Sequence, residues 1–155
     1  MKLAFIYCGI FLRLIDASFA GEPPEPMAAE ARLRTATHVF VARAVSARIV
    51  DENRKPRGEH PPWLVAGRGE AFEITLTKIT PLFPASWHPP KSIVIFSNSG
   101  GFVSEATARP MIGHDQIYFV RKNSERNRFD DFCINSTEDI KHLEDVQKQI
   151  DSLKK

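Results

Sequence analysis

The sequence predicts a mainly β domain: a small barrel of five to six strands with a packed C-terminal α-helix. Three observations carry that expectation. Phe72, Ile74 and Leu76 alternate with Glu73, Thr75 and Thr77, the period of a half-buried antiparallel strand. Further short runs at 38–45, 92–96, 116–120 and 129–134 are rich in β-branched and aromatic residues and are separated by Pro, Gly or charged stretches. Near the end, Ile140, Leu143, Val146, Ile150 and Leu153 recur at spacings of three and four, one apolar stripe of an amphipathic helix.

The first 20 residues read as a removable secretory signal. Lys2 is a short positive lead, Leu3 to Leu12 is an almost continuous apolar run, and Ser18-Phe19-Ala20 presents small residues where a signal peptidase cuts. The run is far shorter than the roughly 20 residues a membrane span needs, so no retained anchor is expected. The expected location is periplasmic or secreted. What remains, about 135 residues, is enough for one domain with a real core. The chain carries a net charge of +2, and losing Lys2, Arg13 and Asp16 brings it one unit nearer neutral. A near-neutral domain has no long-range field to draw it to nucleic acid or to an anionic membrane.

Gly21 to Pro26 is a proline-rich lead that neither helix nor sheet interior tolerates, and Met27 to Thr35 is rich in helix formers. Lead and short helix occupy 21–35, and the barrel with its helix 36–155. The first strand runs from His38 to Val45 and can extend to Val50. Asp51 to Gly69 is a charged loop with three prolines and three glycines, the kind of long loop where binding concentrates. A proline-rich break at 81–90 holds Trp87 and His88. Ser92 to Phe96 is a buried strand ending at the turn Asn98-Ser99-Gly100-Gly101, Phe102-Val103 is a candidate short strand, and Gln116 to Val120 follows Gly113. Phe129 to Ile134 completes the set. The helix is expected over 136–154, capped by Ser136 or Thr137, with Glu138 and Asp139 in its first turn.

In this order the elements resemble bacterial exported proteins of the TIMP-like, netrin-like OB-barrel group. Ala36 to Val45 is similar to that group's opening strand, Phe72 to Leu82 to its second, and Gly113 to Val120 to its glycine-then-tyrosine strand. Cys133, before the helix over 138–153, is similar to its closing cysteine. The resemblance spans roughly residues 30–153 and implies an OB-like barrel. It also implies a second cysteine near residues 98–102, where this chain has glycines. Metalloproteinase inhibition through a mature N-terminal cysteine that chelates zinc is excluded for a chain expected to begin at Gly21.

Cys133 has three readings: a small buried hydrophobe, half of an intermolecular disulfide that makes a homodimer or a mixed complex, or a catalytic thiol. The histidines (His38, His60, His88, His114 and His142) show neither the helical i, i+4 pair nor the Cys/His spacing of a zinc site, so no metal is expected. His114-Asp115 with Ser99 invites a triad, but adjacent residues on one turn point apart and no nucleophile elbow surrounds Ser99. Asn135-Ser136-Thr137 matches the glycosylation sequon, with helix capping as its other role. Trp63 and Trp87, with His88, either anchor a partner or fold back over the barrel's end. The expectation is an exported, non-catalytic binding module, inhibitor- or immunity-like, with a protein partner in the envelope or outside the cell and no cofactor. The alternative is a small periplasmic enzyme using Cys133 or a histidine-lined pocket.

Overall fold

The computed structural model describes residues 26–58, 70–97, 111–133 and 135–153. Among these the elements in chain order are helix α1 (Ala29–Thr35), strands β1 (His38–Asp51), β2 (Glu70–Phe83), β3 (Ser92–Ser97), β4 (Asp115–Asn123), β5 (Arg128–Asp130) and β6 (Thr137–Asp139), a 3₁₀ turn (Ile140–His142), and helix α2 (Leu143–Leu153). The strands hydrogen-bond in the order β1-β2-β3-β5-β4, and β1 also pairs with β4, so the sheet closes into a ring. The pairs are antiparallel except β3 with β5. This is the OB-like barrel that the sequence predicts, with β6 added outside β4 and a C-terminal helix.

β1 makes closure possible. Its first half, His38 to Arg43, pairs with Val120 to Asp115 of β4, and register shifts between Val39 and Ser46 bend it along β2. Both faces of β1 and β4 are apolar because both are covered. Phe40, Ala42, Ala44, Tyr118 and Val120 face the barrel interior with Phe72, Ile74, Leu76, Ile93 and Ile95. Val39, Ile117 and Phe119 face a second cluster with Leu33 and Ala36 of the N-terminal segment and Val146 and Ile150 of α2. That explains why 38–45 and 116–120 read as continuous apolar runs, whereas β2 alternates.

The C-terminal part departs from the sequence reading in two places. The strand expected over 129–134 is confined to β5, because only Phe129 and Asp130 find partners on β3 (Ile95 and Phe96). Beyond a last bond from the Asp131 N–H to the Phe96 carbonyl (3.0 Å), the chain turns, so Cys133 lies outside any strand. The helix expected over 136–154 starts at Leu143, because Thr137 to Asp139 pair with Tyr118 to Gln116 of β4 instead. Sheet pairing outweighs the helix-start signal, and Asp139 takes the capping role expected of Ser136 or Thr137. Its carboxylate accepts the Lys141 N–H at 2.9 Å and opens the 3₁₀ turn. Glu144 and Asp145 then occupy the acidic first turn of α2.

A buried clasp ties the two ends of the described chain together. The Arg32 guanidinium, 4.0 Å over the Phe119 ring, donates to the Asn135 carbonyl (2.8 Å) and pairs with Glu138. The Asn135 side chain accepts the Met27 N–H (3.0 Å) and donates to the Met27 carbonyl (2.9 Å). Asn135, the sequon residue, is therefore engaged in holding the segment that leads into α1.

Candidate functional site

Alternation within the strands puts one row of side chains on the outer face of the barrel. Ile49, Phe72, Ile74, Ile95 and Phe129 pack inward, so their neighbours Arg48, Glu73, Phe96, Arg128 and Asp130 point the other way. Register aligns them: Arg48 is opposite Glu73, Glu73 opposite Phe96, and Phe96 opposite Asp130. A carboxylate in mid-strand at 3% exposure needs compensation. Glu73 obtains it from the guanidinium of Arg48 (2.6 and 3.1 Å) and from Arg54 (3.3 Å for both contacts).

Arg54 arrives from a tight turn at the end of β1. The Asp51 carboxylate accepts the N–H groups of Asn53 and Lys55, both at 2.8 Å, and Arg54 sits at φ 63°, a left-handed conformation that a non-glycine side chain seldom adopts. Its guanidinium lies 5.2 Å from the Phe96 ring centre, and Arg128 covers the same ring at 4.5 Å. Phe96 is an aromatic ring outside the barrel core, shielded by two cations. Arg128 also contacts Asp130 (2.6 Å), and the Asn123 carboxamide shapes the β4–β5 turn by accepting the Arg126 N–H (3.1 Å) and donating to Asp130 (3.0 Å). Between the 51–54 turn and the 126–128 turn lies an open cleft of about 830 Å³, floored by Ala71 and Phe96.

No family model, curated protein or solved structure matches the chain.

Trp63 and His60 lie outside the described residues, as do Ser99 and the turn at 98–101. Trp87 is half-buried and folds back onto the barrel, its ring centre 4.7 Å from His38, 5.4 Å from Phe40 and 5.7 Å from Phe129. His88 beside it is exposed. Trp87 therefore neighbours the first residue of β1, whereas the 51–58 turn leaves from the far end of that 14-residue strand. The structure does not bring the described parts of those two loops into one surface.

Cys133 is buried at 5% exposure and forms no disulfide among the described residues; burial pushes its thiol pKa up, which disfavours the thiolate. Asp115 is held by Arg43 through two contacts (2.7 and 3.1 Å) and is not poised against His114. Its pKa is lowered, chiefly by that hydrogen bond. His38 meets the Thr37 hydroxyl at 3.0 Å, and burial, then Lys122, pull its pKa down. Among the described residues no group of three or more His, Cys, Asp or Glu is placed to hold a metal ion, and no helix is long and apolar enough to cross a membrane.

The arginine-framed cleft is absent from the sequence reading. Its residues come from β1, β2, β3, β5 and two turns, and only the ring order assembles them. The one local signal is Glu73, an acid flanked by Phe72 and Ile74 in a buried strand.

Proposed function

We propose that the chain is an exported, non-catalytic binding module that engages a protein partner through its loops, inhibitor- or immunity-like in kind. The observation that carries this reading is the cleft between the β1–β2 loop and the β4–β5 turn. In OB barrels the face of strands 2 and 3 between those two loops is a general place for ligands. Here that face carries a rigid, charged, partly open recess built on paired strands. Export is supported by the leader-like first 20 residues, and kinship with the TIMP-like group by the ring order and the terminal helix. Trp63 and the Trp87-His88 segment are secondary contacts in this proposal.

Capture from an envelope extract tests it. Wild-type protein is compared with Ala71→Trp, which fills the cleft without altering charge, and with His88→Ala. The expected result is a partner retained by wild type and lost or strongly depleted with Ala71→Trp. If Ala71→Trp, shown to be folded by its circular dichroism, retains everything that wild type retains, the cleft is not the binding surface.

A further inference from the structure

We propose that the cleft takes an acidic segment of the partner, whose carboxylates are bound by Arg54 and Arg126 above the ring of Phe96. The inference rests on the binding reading above and specifies its chemistry.

The charge pattern decides the class. The acids around the cleft are mostly committed: Asp51 to the turn N–H groups, Glu70 to Arg57 at 3.2 Å, Glu73 to two arginines, and Asp130 to Arg128. Arg126 has no ion-pair partner among the described residues, and Arg54 shares a carboxylate that Arg48 already holds more closely. Glu52, exposed on the same rim, is the one cleft-lining acid with no recorded partner. The rim is thus short of carboxylates.

Exchange at Arg54 is also inexpensive. Removing one partner from a buried ion pair normally strands a charge, which is strongly destabilising. Here Arg48 stays on Glu73 at 2.6 Å when Arg54 turns to an incoming carboxylate, so the buried acid is never left alone. Both guanidiniums present a planar fork that fits a carboxylate in two-point fashion. Movement of Arg54 also uncovers Phe96, which then offers its face to an apolar group next to the acid. A peptide fits this better than nucleic acid, because the near-neutral chain lacks the extended basic track that a phosphate backbone needs.

Fluorescence anisotropy with a labelled deca-glutamate peptide, a deca-lysine peptide and an oligo-dT of equal length tests the assignment at low salt. The full chain is expected to bind deca-glutamate in preference to both others. Arg126→Glu, an exposed change that leaves folding intact, is expected to weaken binding about tenfold, and Arg54→Ala with Arg126→Ala by more. Arg34→Ala on α1, outside the cleft, should change nothing. Equal binding of the glutamate and lysine peptides, tighter binding of oligo-dT, or an Arg126→Glu variant with wild-type affinity overturns the inference. If Ala71→Trp abolishes partner capture while the charge variants do not, the binding reading stands and the acidic assignment falls.

Discussion

At the residue scale, the polar groups that matter most are buried and few. Arg32 is 6% exposed and contacts a ring, a carbonyl and the Glu138 carboxylate at once. Arg32→Met keeps the packing stem and removes the charge, leaving Glu138 and the Asn135 carbonyl without their donor. It is expected to lower unfolding free energy by about 2–4 kcal/mol, with a smaller loss when Glu138→Gln is added, read as a double-mutant cycle in urea. Asn135→Ala removes both bonds to Met27 and should cost about 1–2 kcal/mol, with faster amide exchange through α1. His38 sets a pH dependence. Its pKa is lowered in the folded chain, so the unfolded chain binds the proton more readily, and stability rises with pH across that window. The stabilisation is complete above the ordinary histidine value of about 6.5 and is lost as pH falls through the folded value. Melting followed from pH 7 to pH 5 should show a decline that His38→Phe flattens; an identical slope in the variant would remove His38 as the cause.

At the element scale, what the sequence revealed depended on how locally each element is determined. β2 was legible because a strand with one covered face alternates, and β1 and β4 because strands covered on both faces are uniformly apolar. β6 was not legible. Ser136, Thr137, Glu138 and Asp139 together are a good helix-start signature, and only the free edge of β4, set by distant residues, turns them into a strand. The same holds for the cleft: Arg48, Arg54, Arg126 and Arg128 look like separate loop and strand charges until β3 and β5 pair in parallel. α2 illustrates the opposite case, since its stripe is real but only its centre is covered. Val146 and Ile150 are each 2% exposed, while Ile140 and Leu153 are 37% and 41% exposed. Ile150→Ala is therefore expected to cost about 2–4 kcal/mol, and Leu153→Ala under 1, by chemical denaturation.

At the scale of the whole molecule, the two apolar clusters share strands. β1 and β4 carry Phe40 and Tyr118 inward and Val39 and Phe119 outward, so the helical layer cannot be lost without loosening the barrel wall. Such shared walls favour one cooperative transition over separate melting of barrel and helices. Trp87 provides the probe, since it packs on the interior cluster through Phe40 and Phe129. In a Trp63→Phe background its fluorescence reports the barrel alone, while far-ultraviolet circular dichroism reports strands and helices together. The two curves are expected to coincide in wild type. They should shift together in Phe72→Ala, a change inside the barrel costing about 3–5 kcal/mol, and equally together in Ile150→Ala, a change outside it. A circular-dichroism loss that precedes the Trp87 transition in Ile150→Ala would show instead that the helical layer detaches from an intact barrel. The outer cleft would then be carried by the barrel alone, because every residue that frames it lies on β1, β2, β3, β5 or the turns between them.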